Sequence, residues 1–208
     1  MKKILVVNPK GGCGKTTLTT NLASYYALWD VPVALIDLDP QRSSLEWLAQ
    51  RPETLNPIEG IDGAHGRLSV PEHIQRVVMD APARTNSAQL KRLFEQADEV
   101  LIPVLPSPID IRAAGHFIGD LMLDKILRKS RIGLVANRVR ENTLIYNNLE
   151  MFLSKLKIPL VTHLRDTQNY IRAAEGGYGI FEMAPYQVDK DMDTWKPLIK
   201  WIEKDHKL

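Results

Sequence analysis

The chain has 208 residues, of which 44% are hydrophobic, and its formal net charge is +2. This length can bury one substantial core, so we expect a single domain over residues 1–208. The charge is too small to indicate a nucleic-acid-binding protein by itself, and any DNA contact would need a local basic cluster. The single cysteine excludes an internal disulfide and a cysteine-rich metal site.

The N-terminal residues lead directly into a predicted strand, without the pattern of a signal peptide. No stretch of the sequence approaches the length of a membrane span. We therefore expect a cytoplasmic protein.

Short apolar runs alternate with helical patterns along the chain, which is typical of an α/β fold with a doubly wound, mostly parallel sheet flanked by helices. We predict strands at residues 4–7, 33–36, 77–79, 100–104, 132–136 and 160–161. We predict helices at residues 16–29, 43–50, 87–97, 110–129, 143–156, 167–175 and 191–204. The buried face of the first helix is expected to carry Leu18, Leu22, Tyr25, Tyr26 and Trp29. Residues 51–66 are rich in proline and glycine and are predicted to form an irregular, mobile loop near the ligand.

A glycine-rich loop joins the first predicted strand to the first predicted helix. It reads Lys10-Gly11-Gly12-Cys13-Gly14-Lys15-Thr16-Thr17. Its glycines allow positive φ angles, so backbone N–H groups can turn inward and cradle phosphate oxygens where the helix begins. Lys15 and Thr16 stand where a phosphate loop contacts the β- and γ-phosphates and Mg²⁺. We therefore predict that Gly11, Gly12, Cys13, Gly14, Lys15, Thr16 and Thr17 bind a nucleotide.

Three carboxylates follow apolar runs of the predicted sheet: Asp37, Asp39 and Asp80. Ligands of open α/β sheets lie at the carboxyl ends of the strands, so these side chains should converge near the phosphates. Their charge suits Mg²⁺, which is usually held by few carboxylates and several waters.

The string Lys-Gly-Gly-x-Gly-Lys-Thr-Thr resembles the deviant Walker A motif of the ParA/MinD family of ATPases. The ordinary phosphate-loop pattern has glycine at position 9, where this chain has Pro9. The pair Asn8-Pro9 is most similar to the short ParF-like partition ATPases that lack an N-terminal helix-turn-helix domain. Residues 33–41, 77–82, 102–110 and 134–138 also resemble segments of the family. The resemblance implies one P-loop ATPase domain of the deviant Walker A type.

The resemblance also implies roles for individual residues around Mg-ATP. Lys15 would act in catalysis with Asp39, which orients or activates the attacking water. The Mg²⁺ shell would be held by Thr16, Asp37 and Asp80. Asn137 would bond the adenine edge, although asparagine at a strand end is also a common turn residue.

Lys10 is a second lysine in the loop, and Lys15 already takes the position beside the β- and γ-phosphates. The resemblance implies a face-to-face homodimer formed with ATP, in which Lys10 reaches the partner's nucleotide and acts in catalysis, somewhat like an arginine finger. The alternative is an ordinary solvated surface lysine.

For the whole protein, the resemblance implies a slow ATPase stimulated by a small ParB-like adaptor and associated with the nucleoid through non-specific DNA. The candidate DNA contacts are Arg138, Arg140, Arg165, Arg172 and Lys190, although these are equally explained as ordinary solvated charges. The expected cargo is a plasmid or another DNA locus, and the alternative cargo is a protein assembly such as a carboxysome or chemotaxis cluster.

A MinD-like, membrane-positioning ATPase is a further alternative. It would dock on lipid through the C-terminal apolar stripe of Trp195, Leu198, Ile199 and Ile202. Core packing of the last helix would produce the same stripe. An enzyme of small-molecule metabolism on the same scaffold is a third alternative, but such ligases need an additional substrate or glutaminase region.

Overall fold

The computed structural model describes residues 1–64, 68–123, 130–156 and 158–204. The strands are β1 (Lys2–Val6), β2 (Val33–Asp37), β3 (Glu59–Asp62), β4 (Arg76–Asp80), β5 (Glu99–Val104), β6 (Arg131–Val139) and β7 (Leu160–Arg165). The helices are α1 (Lys15–Leu28), α2 (Ser43–Ala49), α3 (Ser87–Gln96), α4 (Pro108–Leu123), α5 (Leu144–Leu153), α6 (Asn169–Glu175) and α7 (Pro185–Glu203), with a 3-10 turn at Ile180–Glu182.

The strands form one parallel sheet in the order β3-β2-β4-β1-β5-β6-β7. Along β1, Ile4 and Val6 pack on one side of the sheet, while Leu5 packs on the other. This alternation follows from the two-residue period of a strand, and both faces are apolar because helices cover both. The predicted doubly wound α/β fold is confirmed.

Each face of the sheet has its own helical layer. One core cluster contains side chains of α1, α2 and α7, and the other contains side chains of α3, α4 and α5. Strand β1 lies between β4 and β5. Strands β2 to β4 lie on one side of β1, and strands β5 to β7 lie on the other. This reversal of strand order is where ligands of doubly wound sheets bind.

The interpretation of residues 51–66 as an irregular loop is wrong for β3, which pairs in parallel with β2. This edge strand has four residues and one aliphatic side chain, Ile61. Its side chains give almost no alternating pattern, so the strand forms through backbone pairing and stays hidden in the sequence. Residues 65–67 of the predicted loop lie outside the described residues.

The beginning of the same segment is fixed by side-chain contacts. The Arg51 guanidinium forms a buried ion pair with Glu182, while the Asn56 amide donates to the Ala27 carbonyl at the C-terminal end of α1. Since α1 begins at the phosphate loop, its other end lies at the opposite edge of the sheet. The contacts of Arg51 and Asn56 therefore contradict a mobile loop at their positions, and Asn56 also lies far from the phosphate loop.

Several predicted boundaries also change. Trp29 caps the end of α1 and is 66% exposed, instead of lying on the buried face of the helix. Helix α7 begins at Pro185, six residues earlier than predicted, because proline is well tolerated in the first turn. Strand β6 continues to Val139, so Asn137 lies within a strand and not after it. The predicted extension of α4 over residues 124–129 lies outside the described residues.

The C-terminal apolar stripe belongs to the core. Trp195, Leu198 and Ile202 are fully buried, and Ile199 packs against the same cluster. Core packing therefore accounts for the stripe. In the described parts of the chain, none of the helices has the length and apolarity that crossing a membrane requires.

Candidate functional site

The glycine-rich loop leaves the carboxyl end of β1 and enters α1 in the centre of the sheet. Gly12 and Gly14 have φ angles of 77° and 94°, which L side chains rarely adopt. Gly14 is the N-cap of α1, and no side chain caps the first turn. The first N–H groups of α1 are therefore left for an anion, as predicted for a phosphate-binding loop.

Two side chains of the loop converge on one backbone carbonyl. The Cys13 thiol donates to the Lys10 carbonyl at 3.2 Å, and the Lys15 ammonium donates to the same oxygen at 3.4 Å. Lys15 is buried, so its charge lies inside the loop. Burial raises the pKa of Cys13, which keeps the thiol protonated and makes it a small packing residue and not a nucleophile.

Asn137 supports the loop from β6. Its side chain is 3% exposed, and its amide nitrogen donates to the Cys13 carbonyl at 2.8 Å. A Cβ atom on Gly14 would lie 2.0 Å from this nitrogen, so the loop needs glycine there for space as well as for backbone conformation. The amide oxygen accepts from the Arg138 N–H. Asn137 therefore supports the loop, and its contact with adenine stays a prediction.

Asp80 meets the start of α1 at the end of β4. Its Oδ2 accepts from the Thr16 hydroxyl at 2.8 Å, while its Oδ1 is buried with no partner among the described residues. Burial raises the pKa of Asp80 to about 7, and the hydrogen bond from Thr16 only partly opposes this. An unpaired carboxylate oxygen beside a threonine hydroxyl is a donor set that fits Mg²⁺.

The described residues hold no cluster of three or more His, Cys, Asp or Glu side chains arranged for a metal. A Mg²⁺ ion at Asp80 and Thr16 would therefore need phosphate oxygens and water as its other ligands, as Mg²⁺ sites commonly do.

Asp37 has a different set of contacts from the one predicted. Its Oδ2 accepts from the Ser44 hydroxyl at 2.6 Å and from the Ser44 and Leu45 N–H groups, and its Oδ1 accepts from the Asp39 N–H. The carboxylate thus holds the start of α2 and the turn after β2. Both oxygens of Asp37 thus already accept hydrogen bonds. Its membership of a Mg²⁺ shell stays a prediction.

Asp39 joins two loops at the carboxyl edge of the sheet. Its Oδ1 accepts from the Gln41 N–H at 3.0 Å, and its Oδ2 accepts from the Ala83 N–H at 3.4 Å, in the loop after β4. Asp39 is partly exposed. A water-orienting carboxylate needs such access to solvent and ligand, so this placement is compatible with the predicted catalytic role.

The five candidate DNA-binding residues fall into two groups. Arg165 pairs with the fully buried Asp191 at 2.7 Å, and Arg140 pairs with Asp166 at 2.7 Å. The exposed residues Arg138, Arg172 and Lys190 form no ion pair with the described part of the chain. Arg165 is the weakest candidate, because binding a phosphate would leave a buried carboxylate unpaired.

Sequence reasoning missed two side chains that shape the site, Ser44 and Asn8. Ser44 binds the Asp37 carboxylate, and Asn8 binds the backbone of Lys10. The pair Asn8-Pro9 carried a usable signal, because asparagine before proline favours a turn in which the amide binds the backbone two residues later. The contact of Ser44 depends on how α2 folds back onto β2, which the local sequence does not indicate.

A model of the CobQ/CobB/MinD/ParA nucleotide-binding domain matches residues 4–179. The chain belongs to this family. Its ParA/MinD relatives include the "Maintenance of carboxysome distribution protein A" of Halothiobacillus neapolitanus, 30% identical over 194 residues that cover 86% of this chain and 87% of the relative. The chromosome-partitioning ATPase Soj of Thermus thermophilus is 35% identical over 126 residues, 54% of this chain and 50% of Soj.

The fold agrees with solved ParA/MinD structures. A variant of Cyanothece McdA in complex with ATP superposes with a TM-score of 0.70 at 17% identity, covering all of this chain and 98% of that one. At this identity the likeness shows the fold alone. The predicted family and P-loop fold are thus confirmed, and the chain is a ParA/MinD-like nucleotide-binding protein of the partitioning or positioning type.

Proposed function

We propose that this protein is an ATP-driven dimerising switch that hydrolyses ATP to ADP and phosphate and positions a cargo on non-specific DNA. The observation that carries the proposal is the contrast within Lys10. Its backbone N–H and carbonyl are both hydrogen-bonded within the phosphate loop, whereas its ammonium forms no hydrogen bond or ion pair with the described residues. A lysine whose backbone is fixed and whose ammonium is unpaired, beside a phosphate site, is suited to bind the nucleotide of a second copy.

The other residues of the site have separate tasks in this mechanism. Lys15 and the N–H groups of the loop bind the phosphates, and Asp39 orients the water that attacks the γ-phosphorus. Mg²⁺, held by Thr16 and Asp80, would neutralise phosphate charge. Lys10 of each copy adds positive charge as the phosphoryl group transfers, which is how a charge supplied in trans accelerates this chemistry. Asn137 is proposed to contact adenine in addition to supporting the loop.

Hydrolysis would open the dimer and release DNA, and a small adaptor protein bound to the cargo would stimulate it. The leading cargo is a plasmid or another DNA locus, in line with the name of the chromosome-partitioning relative. A protein assembly is the second candidate, favoured by the near full-length similarity to a carboxysome distribution protein.

The proposal is tested by retention on non-specific DNA with ATP and Mg²⁺ against ADP and Mg²⁺, at two salt concentrations. We expect retention only with ATP, and weaker retention at higher salt, because phosphate contacts release counterions. Substituting Arg138, Arg172 or Lys190 by alanine should reduce the salt dependence by about one phosphate contact each. Lys91→Ala, an exposed position on α3, is the matched control. Equal retention with ATP and ADP, or none with either, would overturn the switch on DNA.

A further inference from the structure

Asn8 is a buried side chain that connects the phosphate loop to the neighbouring strand β5. It is 2% exposed. Its amide nitrogen donates to the Pro103 carbonyl at 2.7 Å, and its amide oxygen accepts from the Lys10 N–H at 2.8 Å. Both lengths are those of well-formed hydrogen bonds, so the two ends of the amide are both in use.

The position of Asn8 follows from how β1 leaves the sheet. The Val7 N–H still donates to the Leu101 carbonyl of β5. Two residues further along β5, the Pro103 carbonyl receives the Asn8 side chain. Because Pro9 has no N–H, the next backbone donor is that of Lys10, and the Asn8 oxygen accepts it across a tight turn.

The Lys10 peptide is thereby held from both directions. Asn8 binds its N–H, while the Cys13 thiol and the Lys15 ammonium bind its carbonyl. The Lys10 side chain is the one part of the residue that these contacts leave free. A long side chain on a fixed backbone loses less conformational freedom when its charge binds than one on a mobile loop.

We propose that Asn8 is the positioning residue for Lys10. It fixes the Lys10 backbone to β5 so that the ammonium is presented to the nucleotide of a second copy, while the phosphate loop of its own subunit works without it. This inference rests on the proposed function, because it takes the trans role of Lys10 as given.

The test mixes two inactive variants. In a mixed dimer of Lys10→Ala and Asp39→Ala, the Lys10→Ala subunit keeps its own Asp39 and receives Lys10 from its partner, so one of the two sites is complete. The mixed dimer keeps one of the two Lys10 contacts, so it can form where a Lys10→Ala homodimer does not. When sedimentation shows half of the protein in mixed dimers, activity should return to about a quarter of wild type. If Lys10 works within its own subunit, no site in the mixture is complete and no activity returns.

The same mixture with Asn8→Ala in place of Lys10→Ala decides the role of Asn8. Alone, Asn8→Ala should lower ATP hydrolysis by about tenfold to a hundredfold, since a displacement near 1 Å can cost that much. Its ATP affinity should stay within about threefold of wild type, because the N–H groups of the phosphate loop remain. Mixed with Asp39→Ala it should recover activity to the level of the Lys10→Ala mixture. Mixed with Lys10→Ala it should recover nothing, because both subunits then lack a positioned Lys10.

The two failures are distinguishable. If the Lys10→Ala mixture recovers activity and the Asn8→Ala mixture does not, Asn8 serves the phosphate site of its own subunit and the inference is overturned. If the Lys10→Ala mixture itself stays inactive, the trans role of Lys10 fails, and the inference fails with it.

A folding defect is controlled by two further variants. Ser130→Ala removes another buried side-chain bond to a backbone carbonyl, the 2.7 Å contact with Phe94, and should leave ATP-dependent activity unchanged. If Asn8→Ala does not fold, Asn8→Ser keeps an acceptor that can bind the Lys10 N–H in the same kind of turn, and it loses the donor to Pro103 without burying a charge. It should show a smaller loss of activity and the same recovery with Asp39→Ala, and failure to recover overturns the inference.

Discussion

Asp80 is the side chain beside the phosphate loop that we propose as a Mg²⁺ ligand. Its Oδ1 is buried without a partner among the described residues, and burial raises its pKa to about 7. The neighbouring Asp37, in contrast, accepts hydrogen bonds on both carboxylate oxygens, from α2 and from the turn before it. We therefore expect Asp80 to be the stronger Mg²⁺ ligand of the two.

We predict that Asp80→Asn weakens Mg-ATP binding at least about tenfold, because a charged metal ligand is lost. The unfolding free energy of the nucleotide-free protein at pH 8 should stay equal or rise. With its pKa raised, the folded Asp80 favours the proton, so its ionisation costs stability as the pH rises through about 7. Titration with ATP in Mg²⁺ and in EDTA, with chemical denaturation alongside, measures both effects. Asp39→Asn is the control for binding, and equal Mg²⁺ dependence in Asp80→Asn and wild type would contradict the assignment.

We predict that Gly14→Ala abolishes nucleotide binding and lowers the unfolding free energy by about 1–3 kcal/mol. The added Cβ would lie 2.0 Å from the Asn137 amide nitrogen, at a φ of +94°. Gly119→Ala on α4 is the matched control, because nothing lies within 4 Å of its Cβ. It should raise stability by up to about 1 kcal/mol through helix propensity. Nucleotide affinities and denaturation curves of both variants test these expectations. A Gly14→Ala protein that binds ATP normally would contradict the need for glycine at this position.

Helix α7 is fixed to the sheet along its buried face and at its C-terminal end. At that end, three cations from the amino edge of the sheet meet it. Lys2 binds the Ile202 carbonyl, Arg76 binds the Glu203 carboxylate with two hydrogen bonds, and Arg131 binds the Trp201 carbonyl. Cations at the C-terminal end of a helix also interact favourably with its dipole. These contacts, together with the buried stripe, account for the helix as part of the core.

We predict that Trp195→Ala lowers the unfolding free energy by about 3–5 kcal/mol, because the side chain is fully buried. Wild type should not co-sediment with anionic lipid vesicles, with or without ATP. Chemical denaturation and vesicle sedimentation provide the two measurements, and Lys196→Ala, at an exposed position of α7, is the control. If wild type binds lipid and Trp195→Ala does not, with unchanged stability, the result would support membrane docking through α7.

Glu99, at the start of β5, is a buried acid beside the contacts that hold the end of α7, and we expect it to make stability depend on pH. It pairs with Arg131 at 2.8 Å, but its Oε2 lacks a partner among the described residues, and burial raises its pKa to about 7. The folded protein therefore binds this proton more tightly than the unfolded chain, whose glutamate titrates near about 4.3. Stability from this group is fully present below that value and is lost as the pH rises through about 7.

The unfolding free energy of wild type should fall between pH 5 and pH 8. We predict that this fall is smaller by about 1–2 kcal/mol in Glu99→Gln, a value that allows for the partly exposed Arg131. Denaturant midpoints across this range test the expectation. Parallel pH profiles of the two proteins would show that Glu99 does not carry the effect.

On the scale of the whole molecule, the sheet order brings the phosphate loop, the turn after β2 and the loop after β4 to one edge. Asp80 contacts Thr16 across this edge, and Asp39 contacts the loop after β4. A nucleotide bound there would contact loops from three neighbouring strands. Lys10 lies at the same edge, so the proposed dimer would couple occupancy of the site to contact with a second copy.

We predict that ATP with Mg²⁺ raises the Tm and makes it increase with protein concentration, because a ligand that favours a dimer couples unfolding to dissociation. ADP with Mg²⁺ should raise the Tm without that dependence. Lys10→Ala should respond to ATP as wild type responds to ADP. Differential scanning calorimetry over a hundredfold range of protein concentration measures this, and a concentration-dependent Tm in Lys10→Ala would argue against its role in dimer formation.

The sequence by itself determined the sheet class, the phosphate loop and the family. These follow from local patterns: apolar runs of buried strands, glycines that permit positive φ at positions 12 and 14, and a lysine and hydroxyl at fixed spacing. Strand β3 escaped because its four residues carry no alternating pattern and it forms only when β2 is available for pairing. The start of α7 was misjudged because only one residue ahead of Asp191 in this helix, Val188, has a buried side chain, so the apolar pattern there is weak.

Only the tertiary structure decided how the polar side chains at the site divide their tasks. Asp37 and Asp80 look alike in the sequence, each at the end of a buried strand. Ser44 and Asp39 donate hydrogen bonds to the two oxygens of Asp37, whereas one oxygen of Asp80 has no partner among the described residues. Asn137 likewise contacts the loop from a strand distant along the chain, and Asn8, beside the loop, gains its second contact from the Pro103 carbonyl of β5. Hydrogen-bond partners of this kind depend on long-range packing, which the spacing of residues in a sequence does not specify.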